Sequence, residues 1–398
     1  MMLIGLEKNI SRNLIFYSLP RLVLTAFFVF GFCPIVFGQS APHPPSPVIS
    51  GINFDWSTHD LQAPGSDNWP ITWADDDHQY SAWGDGGGFG GTNSQGRVSL
   101  GMARVEGALQ NYTGKNVWGG KSPENSAQFS GKSYGILSVD GILYMWVSPD
   151  PLPHLNETRI AWSTNHGATW TPTSWKFTFS DGLTIPTFLN FGKDYAGSRD
   201  SFVYSYYIKP QYGPGKASGG LVVNGFDVHK PGVVYLSRVP KGDILDQTKY
   251  EFFAGLNGNG DPTWSSTPAQ KQPVFEDPNG VGWNLSVSYN EGLNRYLLST
   301  EHTRTHKAHL GIFDAPEPWG PWTTVFYTNS FGNSSLAKKT FYWNFSNKWL
   351  SPDGKDFVMI FTGQKANDAW NLVEGSFEVS NSDTTPPDTP TGLTFTGE

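Results

Sequence analysis

Cysteine is almost missing from this chain. The single one, Cys33, stands inside an N-terminal leader, so no disulfide framework and no thiol chemistry is expected of the remainder. Charge is scarce too: Asp, Glu, Lys and Arg make up 16% of the residues, against roughly 25% in an average soluble domain. Acids outnumber bases 35 to 27 and the net charge is −8. Such a chain has no electrostatic case for nucleic acid or an anionic membrane. No helix pattern follows the glycine run Gly84–Gly91, so that run does not read as a phosphate loop. The nine histidines are read as scattered, so a protein-built zinc site is not expected.

One long apolar run occurs, Leu22–Phe37, behind the basic residues Lys8, Arg12 and Arg21. It is short for a membrane span and reads as a secretory signal peptide cut near Gln39. Phe32 disfavours a lipoprotein cut at Cys33, where a small residue is expected. The mature protein is expected outside the cytoplasm, extracellular or periplasmic, with no membrane contact. Losing Glu7 and the leader's three basic residues moves the charge to −10. The expected layout is signal peptide 1–38, short linker 39–50, core 51–379 and tail 380–398. The tail's Pro/Thr-rich linker leads into what resembles the first strand of a fibronectin-type module.

Against these shortages stand 45 glycines, 29 prolines and 16 tryptophans. That composition favours short strands, many turns and aromatic surfaces, hence an all-β fold. Five segments read as hairpins: Ser66–Gly91, Tyr134–Val147, Phe188–Tyr207, Asn284–Thr300 and Asn344–Thr362. Each has two apolar stretches around a turn rich in Asp, Asn and Gly. Further strand-like stretches follow each one. Units recurring at this scale predict a five-bladed β-propeller, with a decorated β-sandwich as the alternative. Ser163–Trp170 (STNHGATW) resembles the Asp-box turn of sialidase-like propellers, with Asn165 in place of Asp; its role is structural.

The first hairpin, SDNWPITWADDDHQYSAWGDGGGFGG, carries five aspartates. Asp75, Asp76 and Asp77 fall at the tip and read as a solvated turn without calcium-loop spacing. Asp67 and Asp85 lie equally far from the turn. A symmetric hairpin would set them opposite each other at its open end, as a carboxylate pair of the kind that cleaves glycosides. The glycines after them read as backbone passing close to a ligand or a neighbouring blade. If the five hairpins are equivalent, their open ends gather further groups around this pair. The candidate substrate-binding residues are Trp69, Lys132, Trp146, Asn190, Trp283, Asn284, Glu301, His302, Trp343 and Asn344. Tryptophan faces stack on sugar rings, and amides, Lys and His bind hydroxyls.

The segments DNWPITWADDDHQYSAWGDGGGF, YLSRVPKGDI, GWNLSVSYN, FDAPEPWGPWTTV and WNFSNKWLSPDGKDF resemble a bacterial domain-of-unknown-function family, DUF4185. The resemblance runs over about Gly51 to Val379. It implies a five-bladed propeller related to endo-D-arabinanases, in which two aspartates of the first blade carry catalysis. Asp67 and Asp85 match those positions, with Asp76 a possible substitute for Asp67.

The expectation is a secreted glycoside hydrolase acting on a poly- or oligosaccharide, with an arabinan-type substrate implied by resemblance only. Two alternatives stay open: a polysaccharide lyase with His302 or Lys132 as base, and a non-catalytic glycan-binding propeller. The expected partner is carbohydrate. No cofactor is required, a calcium ion on the axis stays open, and a monomer is expected.

Overall fold

The computed structural model describes residues 40–149, 157–209, 211–214, 221–223, 226–333, 336, 339–363 and 368–380. The leader, the tail and the expected signal cut lie outside them. Among the described residues no helix is long and apolar enough to cross a membrane. Regular structure is almost wholly strand, broken by short 3-10 turns.

The strands follow one another as antiparallel meanders. The first runs Ile71–Trp73, Gln79–Gly84, Leu100–Glu106 and Thr113–Trp118. The second is Gly131–Val139, Ile142–Pro149 and Glu157–Ser163, with the short strands Thr171–Pro172 and Phe177–Thr178 on its outer edge. Thr184–Asn190, Phe202–Ile208 and Gly232–Pro240 begin the third. Glu251–Leu256 and Pro273–Asp277 share the far side of its third strand. The fourth is Ser286–Asn290, Arg295–Glu301, Leu310–Ala315 and Thr323–Thr328. It joins the third where the two first strands pair in parallel, Leu189 with Val287 and Asn190 with Ser288. The last sheet holds Phe341–Phe345, Asp356–Thr362 and Trp370–Val379. Its outer strand is Ile49–Gln62, from the other end of the chain.

All five expected hairpins are present as antiparallel pairs. Local chemistry explains them. In the second, Val139 pairs with Ile142 across Asp140-Gly141. Both turn residues have positive φ, 51° and 73°, as a two-residue turn matched to strand twist requires. The Ser163–Trp170 turn closes as its motif suggests: Asn165 Oδ1 accepts from the Thr169 amide, and Ser163 Oγ accepts from the Gly167 amide.

A large apolar cluster runs through the second to fifth meanders, and two smaller ones underlie the first. Tryptophans fill them. Trp69 packs on Trp83, Phe89 and Trp370 with ring centroids 5.3–5.8 Å apart. The glycine run after Asp85 serves this packing: a Cβ on Gly88 would lie 2.6 Å from the Trp83 ring. Inside the ring of first strands the free space is ≈10 Å³, lined by Ile71, Ile136, Phe188 and Val287 with Thr187, Asn190, Ser286, Ser288 and Asn344. Among the described residues no carboxylate lines it.

Candidate active site

The open end of the first hairpin departs from symmetry. The pairs Ile71–Ser81 and Thr72–Tyr80 would bring Asp67 opposite Asp85 if the register continued. Asp67 instead bridges to Gly84, with N–H···O distances of 2.9 and 2.7 Å. One extra residue has been absorbed between Asp67 and Ile71. Asn68, with φ +57°, takes up the bulge, and Pro70 has no amide with which to extend the ladder there. Asp85 therefore lies one residue beyond the bridge, itself in the left-handed region at φ +52°.

The slip puts the two carboxylates in different surroundings. Asp85 is 38% exposed and stands between two cations, with Lys132 Nζ 2.6 Å from Oδ1 and an Arg97 guanidinium nitrogen 3.0 Å from Oδ2. The Asp67 Oδ1 is sealed from solvent and has no hydrogen-bond partner among the described residues. Burial pushes the Asp67 carboxyl well above the usual range. Lys132 opposes this; Asp368 and Asp85 add to it. Gly84 makes the arrangement possible, since a Cβ there would meet Asp67 Oδ1 at 2.7 Å and Lys132 Nζ at 3.1 Å. Lys132, 3% exposed, thus lies beside both acids. It arrives from the start of the second meander's first strand.

Asp368 is a third acid that the sequence did not flag. It lies between the second and third strands of the last sheet, and its carbonyl accepts from the Gly65 amide. Burial, then the negative charge of Asp85, raises its carboxyl. The fifth meander also supplies Thr362, whose Oγ1 accepts from the Asn68 amide at 3.0 Å. Only the fold brings these residues to the first hairpin.

Most of the expected sugar-binding residues lie elsewhere. Trp69, Trp146, Trp283 and Trp343 are at most 1% exposed and offer no face to a ligand. Trp146 donates to Ser205 Oγ, and Trp283 donates to His306 Nε2. The third hairpin starts at Thr184 rather than Phe188, which shifts Asn190 towards the turn. Its amide donates to the Ile136 carbonyl. Asn344 pairs with Ile360 inside its hairpin and also lies away from the open end.

Asn284, Glu301 and His302 do sit at the open end of the fourth hairpin, in a second buried cluster. Glu301 Oε1 accepts from the His306 amide at 2.5 Å, while Oε2 is buried without a partner among the described residues. Burial raises this carboxyl, and its electrostatic neighbour is Asp227, not Asp67 or Asp85. Both polar atoms of the Asn284 side chain are buried without partners among the described residues. His302 stacks on Tyr327 at 3.7 Å and bonds through both nitrogens, to Thr303 Oγ1 and the Thr328 carbonyl. Burial drives its pKa down to about 3.

The histidines are less scattered than expected. His302, His306 and His309 follow one another at spacings of four and three. Such spacing aligns side chains on a helix, but this segment is an irregular turn. Among the described residues one set of side chains could surround a metal ion: Asp75, Asp76 and His166, at the opposite, turn end of the first hairpin. That turn is also more engaged than a solvated tip. Asp76 accepts from Tyr80 Oη, and Asp77 from Trp73 Nε1.

No curated protein sequence matches the chain. Several solved structures are similar at low identity. An endo-arabinase from Bacteroides thetaiotaomicron aligns at 11% identity and TM-score 0.45, over 79% of this chain and 95% of its own. The catalytic domain of a Coprinopsis cinerea GH62 α-L-arabinofuranosidase aligns at 10% and 0.46, over 81% and 92%. A thermostable family-43 glycoside hydrolase aligns at 14% and 0.44, over 88% and 100%. The model of DUF4185, a domain of unknown function, matches residues 134–336, which include Glu301 and His302 but neither Asp67 nor Asp85. With that match spanning half of its length, the chain belongs to the DUF4185 family.

Proposed function

We propose that the protein is a secreted glycoside hydrolase built on a five-bladed β-propeller, cleaving a poly- or oligosaccharide with Asp67 and Asp85. The five successive meanders, the last closed by the strand Ile49–Gln62, support five blades around the ring of first strands. One observation carries the chemistry: two neighbouring acids hold opposite environments on either side of Lys132. Pairs whose surroundings separate them in this way divide acid and base roles. Asp67, half-buried with Oδ1 sealed from solvent and favouring its proton, is the general acid for the leaving oxygen. Asp85, more exposed and facing two cations, is the carboxylate that activates water or attacks the anomeric carbon. Lys132 positions both.

Neither alternative gains support from the geometry. A lyase needs a free base, and His302 and Lys132 are both committed. A binding module needs exposed rings, and the tryptophans expected at this end are buried. The test is a digest of a polysaccharide panel, arabinan included, followed by product analysis. Wild type is expected to release reducing sugar, and Asp67→Asn and Asp85→Asn to release none while keeping the fold. Full activity in either variant refutes the assignment, and an unsaturated product indicates a lyase.

A further inference from the structure

We propose a second carbohydrate-binding site at the opposite end of the strand ring, where the hairpin turns meet. The proposal rests on the glycan reading above, but uses none of its residues. A cleft of ≈310 Å³ opens there, at the lower edge of the range for small-molecule sites, about 300–1,000 Å³. Four of the five hairpins line it. Trp73 comes from the first, Lys193 from the third, Tyr289 and Glu291 from the fourth, and Asn347 and Leu350 from the fifth. First strands of five to nine residues separate it from Lys132 and Glu301, a distance of about 20 Å at 3.3 Å per residue.

The aromatic rings in the cleft are held in place. Trp73 Nε1 donates to Asp77 Oδ1 at 3.1 Å. Asp77 also takes Lys193 Nζ at 3.2 Å and Lys348 Nζ at 3.3 Å. Lys193 in turn sits 5.9 Å over the Trp73 ring. Across the cleft, Tyr289 packs on Phe191 and Tyr296 with centroids 5.2 and 4.9 Å apart. Its hydroxyl donates to Asn294 Oδ1 at 2.6 Å. Both rings are half-buried, unlike the tryptophans of the core. Fixed aromatics with one accessible face lose little entropy when a sugar ring stacks on them.

The rim selects a neutral, hydroxyl-rich ligand over an ion. It offers the cation Lys193, the exposed anion Glu291 and the amide Asn347, whose Nδ2 is already given to the Tyr289 carbonyl at 3.0 Å. Opposite charges across one small cleft penalise a charged ligand, whereas hydroxyls donate to the acid and accept from the ammonium. The occupant is a segment of polysaccharide chain, held at a distance from the aspartate pair.

The test is affinity electrophoresis in native gels cast with arabinan, xylan or arabinogalactan. Reducing-sugar release from the same polymers is measured in parallel. Wild type and Asp85→Asn are expected to be retarded in at least one gel. Trp73→Ala and Tyr289→Ala should each raise the apparent dissociation constant about tenfold, and Trp73→Phe less. Lys193→Ala and Glu291→Ala at the rim decide the matter if circular dichroism shows an aromatic variant unfolded. No retardation of wild type in any gel, or folded variants retarded like wild type, overturns the second site. Hydrolysis without dependence of retardation on these residues leaves the aspartate assignment standing and removes this one; retardation that depends on them without hydrolysis does the reverse.

Discussion

Replacing Lys132 by Met removes the cation shared by the two acids, and its consequences differ in sign between them. Asp85 loses a partner at 2.6 Å but keeps Arg97 at 3.0 Å and 38% exposure. A hydrogen bond to a charged group contributes about 1.5–3 kcal/mol. Solvent and Arg97 discount that loss to about 1–2 kcal/mol, which in a core of this length is a fall in Tm of roughly 1–3 °C. Asp67 loses the main influence opposing its burial, so its carboxyl moves further up. An acid catalyst works protonated, so the alkaline limb of the pH–rate profile should move to higher pH while kcat falls. Stability follows the same sign. Folding favours protonated Asp67, so its cost is absent below the unfolded value, near 3.9, and grows as pH rises towards the folded one. Lys132→Met should widen that window and steepen the alkaline loss of stability. Reducing-sugar release across pH reads the first effect, and thermal melts across pH read the second. Lys132→Arg keeps the charge and should hold the limb near its wild-type position. A limb in Lys132→Met that stays in place or moves to lower pH refutes Asp67 as the acid.

Two further outcomes concern the fold. Trp69→Ala empties a fully buried site among three aromatic rings and should cost about 3–5 kcal/mol. Denaturant melts should show that loss at any glycan concentration, whereas a sugar-stacking Trp69 would chiefly weaken binding. Deleting residues 40–62 strips the outer strand from the last sheet and exposes the edge of Trp370–Val379. The shortened protein is expected to aggregate or fail to give a cooperative melt; a soluble chain with an unchanged melt contradicts the closure.

The hairpins were legible because alternation and turn chemistry are local signals. Asp140-Gly141 and the Asp75–His78 turn specify their own geometry. What lay beyond reach depended on register or on distant chain. Alternation counted from the turn places Asp67 opposite Asp85, and only the bulge at Asn68 breaks the count. Asp368 and Thr362 reach the site because the last sheet abuts the first meander, a proximity with no local trace. Composition announced tryptophan but not its side of the sheet, and the buried ones proved to be core. Trp73, half-buried at the hairpin tip, alternates in sequence with Ile71 and Trp69 and carries no local mark of its exposure. The strand Ile49–Gln62 went unseen because it straddles the boundary drawn between linker and core, and its partner lies more than 300 residues away.

That pairing also sets an order of events. A ribosome delivers Ile49–Gln62 long before Trp370–Val379 exists, so the earliest strand of the sheet waits, unpaired, for nearly the whole of synthesis. Its sequence suits the wait: ISGINFDWSTHDLQ intersperses Asp55, His59 and Asp60 among the apolar residues, which discourages pairing with a wrong edge. Closure is the contact of highest sequence separation in the sheet and carries the largest loop-closure entropy. Joining the two chain ends is therefore the costliest closure within that sheet, while its other three strands pair with sequence neighbours. Thr362 ends the second strand of this sheet and Asp368 lies in the loop that follows, so the environment of Asp67 is completed only when the part of the chain made last docks against the first meander.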